Sequence, residues 1–190
     1  MVNYPIKKKS KKTIVHKNRG MALEEDINST NEYYLAHGIA VIHKKPVPIK
    51  VVDVNYESRH TAEITKAYYV TPSTTDYNGV YKGYYLDFEA KETSNKTSLP
   101  IQNIHSHQVE HLKSVIEHGG IAFIIVRFSS VGDTFLLEGK HLIQFAERSK
   151  NGRKSISYRE FKENGFILED SYNPRIPYLK VIDEIIKKML

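Results

Sequence analysis

The chain has 190 residues, enough for one domain with its own core. It lacks cysteine, which excludes disulfide scaffolds and thiolate metal sites, and no apolar run approaches the roughly 20 residues that span a bilayer. A net charge of +6, with 13 tyrosines and no tryptophan, points to a polyanionic partner.

Residues 1–18 contain the run K-K-K-S-K-K from Lys7 to Lys12. Like charges without apolar anchors predict a disordered basic tail, able to follow a phosphate backbone or simply to stay solvated. No apolar stretch follows it, so no signal peptide is expected. Residues 19–190 are expected to form a single domain.

The first helix is expected over Arg19–His37, with Leu23, Ile27, Tyr34 and Leu35 on one stripe. Glu24, Glu25 and Asp26 suit the helix dipole near its start, and Glu24 is also an accessory-site candidate. Ile39–His43 reads as a short buried strand, stopped by Pro46 and Pro48. Lys50–Val70 alternates loosely, punctuated by Arg59, His60 and Lys66. It predicts two extended strands, either projecting as an arm or lengthening the sheet.

Pro72–Lys91 reads P-S-T-T-D-Y-N-G-V-Y-K-G-Y-Y-L-D-F-E-A-K and predicts a hairpin. Tyr84, Leu86, Phe88 and Ala90 alternate with Tyr85, Asp87, Glu89 and Lys91, as in a half-buried strand. Asn78-Gly79 has the stronger turn propensity, but a turn at Lys82-Gly83 aligns the faces better. Tyr77, Gly79 and Tyr81 then join the apolar face, with Gly79 marking a close backbone approach. Asp76 falls opposite Glu89, and Thr74 opposite Lys91. Opposed carboxylates need a cation between them, and Mg²⁺ accepts such oxygen ligands. With Lys91 within reach, the group resembles a phosphodiester-hydrolysis kit. By itself D-x12-E-x-K is short and favours a plainer reading, a solvated ladder in which Lys91 neutralises Glu89.

Thr93–Pro100 is expected to be polar loop, and Ile104–His118 a helix. Gln108 lies among apolar neighbours there and needs a partner, either backbone or a metal and its water. His105, His107 and His111 suggest zinc, but the spacing of His107 and His111 lacks the glutamate of a zincin motif. Ile121–Phe128 (I-A-F-I-I-V-R-F) is apolar apart from Arg127, as in a central strand covered on both faces. Thr134–Leu137 is a further strand and His141–Arg148 a helix. The basic loop S-K-N-G-R-K-S follows, with Arg153 and Lys154 as candidate phosphate contacts. Ser157-x-x-Glu160 predicts a capping box, and Ile176–Leu190 a final helix bearing Leu179, Ile182, Ile186 and Met189.

Taken in order, N-R-G-M-A-L-E-E-D-I-N, A-V-I-H-K-K-P, P-S-T-T-D-Y-N-G-V-Y-K-G, D-F-E-A-K-E-T, S-H-Q-V-E-H and N-G-R-K-S-I resemble the RecU-type Holliday junction resolvases. The resemblance covers nearly everything after the basic tail and overturns the ladder reading. It implies an α/β fold of the restriction-endonuclease-like kind, a mixed central sheet flanked by helices, with a stalk inserted at about 50–72. It implies a homodimer that binds four-way junction DNA and makes paired nicks with Mg²⁺, or Mn²⁺ as a substitute. It further implies a role toward the strand-exchange recombinase, and a bacterial, cytoplasmic, nucleoid-associated setting without a membrane. Thr74, Asp76, Glu89 and Gln108 match the metal-site positions, and Lys91 the lysine that stabilises the transition state. Glu24 matches by looser analogy. Arg19, Arg59, Lys66, Arg153 and Lys154 are DNA-binding candidates. The rival expectations are another nuclease of the same fold, or a non-catalytic DNA-binding accessory.

Overall fold

The computed structural model describes residues 21–56, 58, 60–70 and 74–190. The basic tail, Arg19, Arg59 and Pro72 lie outside the described residues. The helices are α1 (Met21–Ala36), α2 (Ser106–Glu117), α3 (Gly139–Asn151), α4 (Tyr158–Asn164) and α5 (Leu179–Met189). The strands are β1 (Val41–Lys44), β2 (Ile49–Asn55), β3 (Glu63–Tyr69), β4 (Tyr77–Tyr81), β5 (Tyr84–Thr93), β6 (Ser98–Pro100), β7 (Ile121–Phe128), β8 (Asp133–Glu138), β9 (Ser155–Ser157) and β10 (Phe166–Leu168).

Six strands form one mixed sheet in the order β1-β4-β5-β7-β8-β10. β5 and β7 run parallel and their neighbours antiparallel. On one face α1 and α5 pack Leu23, Ile27, Ile182 and Ile186 against Leu86, Phe88 and Phe123. On the other, Leu112 of α2, Leu142 of α3 and Phe161 of α4 meet Ile124, Val126 and Phe135. Both faces of the sheet are therefore covered, which is why β7 is apolar from Ile121 to Val126, before Arg127. Rings of Tyr77, Phe88 and Phe123 stack across β4, β5 and β7 at centroid distances of 4.9 and 4.6 Å.

The β4–β5 register is that of the Lys82-Gly83 turn: Tyr81 faces Tyr84, Gly79 faces Leu86 and Tyr77 faces Phe88. Lys82 and Gly83 both take positive φ, as a tight two-residue hairpin turn requires. Gly79 is a close backbone approach, because a Cβ there would sit 2.1 Å from the Val41 carbonyl oxygen on β1. β2 and β3 pair with each other and not with the main sheet, and their residues are exposed apart from half-buried Val54.

Several expectations need correction. Leu35 is exposed, since it follows the buried Tyr34 and points off the stripe. β1 is an edge strand with only Ile42 buried, not a buried strand. The loop at Thr93–Pro100 contains β6, which pairs with β9 and buries Leu99 against Ile156. The last helix begins at Leu179, not Ile176. The Ile176 amide is committed to Thr30 Oγ1 at 2.9 Å, and Pro177 disfavours helix just before it. Met189 is exposed.

Candidate active site

The site forms where the β4–β5 hairpin leaves the ladder. β4 begins at Tyr77, so residues 74–76 have no strand pairing of their own. The first turn of α1 brings Glu24 alongside, and the end of β1 brings Lys44 and Lys45. These residues line a cleft of about 420 Å³ together with Pro46, Val47, Pro48, Thr74, Thr75 and Asp76. Glu24 pairs with Lys44 at its edge.

β5 supplies the other half. Two residues of its expected polar face are not on a surface: Asp87 and Glu89 are fully buried where α2 covers that side, while Tyr85 is exposed and Lys91 half-buried. Continued one residue beyond β4, the register sets Asp76 against Glu89, and the Asp76 amide donates to Glu89 Oε2 at 3.1 Å. Asp76 Oδ2 accepts from the Ala90 amide at 3.4 Å. Lys91 Nζ lies 2.6 Å from Glu89 Oε1, which otherwise has no hydrogen-bonding partner among the described residues.

Burial raises the Glu89 carboxyl to about 7, the Asp76 charge adds to the rise, and Lys91 opposes it. A buried carboxylate held this short of compensation is a candidate reactive group. Among the described residues no three His, Asp or Glu side chains gather closely enough to hold a metal by themselves. The fit is instead to a hard cation that takes one or two carboxylates and keeps its waters for a substrate phosphate. Asp76 and Glu89, with an under-coordinated buried oxygen, could supply that donor set.

The remaining sequence candidates fall as follows. Thr74 lines the cleft, but its hydroxyl turns to the Thr75 carbonyl at 3.4 Å, and it does not pair across a ladder with Lys91. The strand alternation that placed it there begins only at Tyr77. Gln108 is buried in the first turn of α2, where its Oε1 accepts from the His105 amide at 3.0 Å, the backbone contact. His107 stacks on His105, and burial, then the His105 and Lys91 charges, push it below its ordinary pKa. Lys66 is exposed on β3, over the Tyr68 ring. Arg153 Nε donates to Ser155 Oγ at 3.3 Å, and Lys154 is exposed beside it, both at the α3–β9 connection and outside the cleft. The capping box at Ser157 and Glu160 is present, with the Ser157 amide 2.7 Å from Glu160 Oε2.

Sequence reasoning gave no role to Lys45, Thr75, Tyr85 or Asp87, and considered His111 only for zinc. All five converge in the structure. Asp87 accepts from the Thr75 hydroxyl, from Lys45 Nζ at 2.8 Å, from Tyr85 Oη at 2.8 Å, and meets His111 Nε2 at 3.1 Å. The available signal was the alternation itself, which puts Asp87 on the same face as Glu89.

Comparison with known proteins gives three findings. The model of the family described as Recombination protein U matches residues 18–184. A Holliday junction resolvase RecU of Bacillus cereus is 54% identical over 175 residues, covering 92% of this chain and 88% of the relative; one of Bacillus thuringiensis is 54% identical over 182 residues, covering 95% and 88%. Among solved structures, the Archaeoglobus fulgidus Holliday junction resolvase Hjc aligns with a TM-score of 0.45 at 14% identity, over 76% of this chain and 93% of its own.

Proposed function

Since the chain belongs to the RecU family, we propose that it resolves four-way DNA junctions as a structure-specific endonuclease of restriction-endonuclease-like fold. The observation that carries this reading to particular residues is the pairing of half-buried Asp76, on the cleft wall, with fully buried Glu89, with Lys91 beside it. Phosphodiester hydrolysis needs negative charge neutralised at the phosphate and a water made nucleophilic, and this constellation offers both means.

Asp76 and Glu89 would hold a divalent cation, Mg²⁺ by preference with Mn²⁺ as a substitute; Thr74 and Gln108 would complete the set by turning their oxygens from the Thr75 carbonyl and the His105 amide. When bound, the cation supplies Lewis acidity toward the scissile phosphate and lowers the pKa of a coordinated water. Asp76 is steered toward that position by its contact with the Ala90 amide and by the bond from its own amide to Glu89. Glu89 ionises to take part, at a cost set by its burial. Lys91, still four-fifths buried on its side chain, offers a fixed positive charge to offset the negative charge that develops on the phosphorane oxygens. Glu24 stands at the cleft edge as an accessory carboxylate.

Two copies of the chain, each with one such site, make the paired nicks in strands of like polarity. The exposed β2–β3 pair, carrying Lys66, is the stalk that enters the junction centre, and Arg19, Arg59, Arg153 and Lys154 contact phosphates on the arms. The protein works in the bacterial cytoplasm with the nucleoid and also modulates the strand-exchange recombinase.

The test is cleavage of an end-labelled four-way junction with Mg²⁺, in competition with linear duplex at fixed salt. Symmetric nicks confined to the junction are expected. Equal cutting of the duplex would discard junction specificity, and tight binding without cleavage would leave a DNA-binding accessory.

A further inference from the structure

Asp87 is a fully buried carboxylate that the chemistry above does not use. It sits on β5 two residues before Glu89, opposite Asn78. Its partners come from four separate places in the chain. Lys45 follows β1, Thr75 immediately precedes Asp76, Tyr85 is on β5 itself, and His111 is on α2. Four partners fill the acceptor sites of an ionised carboxylate, so this one side chain ties four parts of the chain to a single point.

The segment it touches needs holding. Residues 74–76 precede the first ladder pair at Tyr77, so the sheet does not fix them. Lys45 reaches this segment twice. Its amide donates to the Asp76 carbonyl at 2.7 Å, and its ammonium donates to Thr75 Oγ1 at 3.0 Å while pairing with Asp87. Thr75 in turn donates to Asp87 Oδ1. The result is a closed triangle of Lys45, Thr75 and Asp87, directly behind Asp76. His111 adds α2, the helix that carries Gln108, to the same carboxylate.

We propose that Asp87 is the positioning residue of the active site: through Thr75 and Lys45 it holds residues 74–76 so that Asp76 stays against Glu89. This inference rests on the reading of Asp76 and Glu89 as the nuclease pair. None of the triangle's side chains needs to touch the scissile phosphate. Their effect is on geometry, and displacement of a reacting group by about 1 Å is enough to cost on the order of a hundredfold in rate. Outer partners that orient metal ligands carry comparable weight, about 10–100-fold.

Two measurements on the full-length protein decide it. The first is amide hydrogen exchange without DNA or metal, which does not depend on nuclease activity. Thr75→Val keeps the side-chain shape and removes the hydroxyl; Lys45→Met keeps the length and removes the charge. In both, the Asp76 amide, now bonded to Glu89, is expected to exchange about tenfold faster, while amides of Ile124 and Ile125 on β7 keep their protection. Thr75→Ser restores the hydroxyl and is expected to restore slow exchange. The second is a split of turnover from affinity. Thr75→Val should lower kcat about 10–100-fold with junction affinity unchanged within about twofold, and Thr75→Ser should recover turnover.

Wild-type exchange at Asp76 in both Thr75→Val and Lys45→Met would overturn the positioning role. So would a loss of junction affinity as large as the loss of turnover, which would make these residues DNA contacts. If the wild-type protein itself left junctions uncut, the endonuclease reading would fall, and the exchange measurement would still decide whether the triangle holds Asp76 in place.

Discussion

Asp87 and Glu89 lie two residues apart on one strand, point to the same side of the sheet and are equally buried, yet they are treated in opposite ways. Asp87 is saturated, with Lys45, Thr75, Tyr85 and His111 around its two oxygens. Glu89 has the Asp76 amide on one oxygen and Lys91 on the other, with the Asp76 carboxylate close enough to repel it. A buried charge with full compensation fixes structure, whereas one left short retains affinity for a cation. On the proposed reading the same strand carries a brace and a reactive group, two residues apart.

The largest effects should come from the reactive side. Lys91→Ala is expected to lower the cleavage rate by about 100–1,000-fold while junction affinity changes little, as measured by single-turnover cleavage beside binding. Asp76→Ala should abolish metal-dependent nicking and still bind junctions. An affinity loss matching the rate loss would move these residues to substrate binding.

Stability should show the reverse order. Asp87→Ala removes one partner of a buried ion pair and is expected to cost about 3–5 kcal/mol in chemical denaturation. Glu89→Gln relieves repulsion with Asp76 and should cost far less or nothing, since reactive sites are held at the expense of stability. Similar losses for both would erase the distinction between them.

The pH dependence sharpens the contrast further. Glu89 is raised from 4.5 to about 7 in the folded protein, so its neutral form favours folding. That contribution is complete below about 4.5 and is lost as pH rises through about 7. Without metal, the wild-type melting temperature is therefore expected to lose this contribution between those values. If the proposed site takes Mg²⁺ on the ionised form, added Mg²⁺ should stabilise most at the high end. Glu89→Gln should abolish both trends.

Away from the pair, Gly79→Ala would drive a Cβ into the Val41 carbonyl and should cost about 1–3 kcal/mol by loosening β1, which leads into Lys45. The smallest effect is expected on β3. Lys66→Ala should leave stability within about 0.5 kcal/mol and lower the salt slope of junction binding by about one.

Much of this was legible in the chain. The hairpin register followed from facial agreement: a turn at Lys82-Gly83 was the arrangement that put Tyr77 and Tyr81 with Leu86 and Phe88, and it brought Asp76 to Glu89. β7 and the capping box at Ser157 were readable because both are local patterns. What periodicity could not reach was what lies beyond an element's end or across the chain. Thr74 was misplaced because alternation was continued past the start of β4. Burial of Glu89 and Asp87 depends on α2, which packs from more than fifteen residues away in sequence. Lys45 and His111 reach Asp87 over separations of 42 and 24 residues, and no spacing rule connects them. β6, β9 and β10 are three residues each, too short for alternation to register.

The most direct test of the pair as the reactive centre is Glu89→Gln on a labelled four-way junction, with binding and Mg²⁺-dependent cleavage read in the same samples. Junction affinity within about twofold of wild type, with cleavage reduced at least about a thousandfold, is the expected result. Cleavage at the wild-type rate would contradict the assignment of Glu89, and with it the distinction drawn between the two carboxylates.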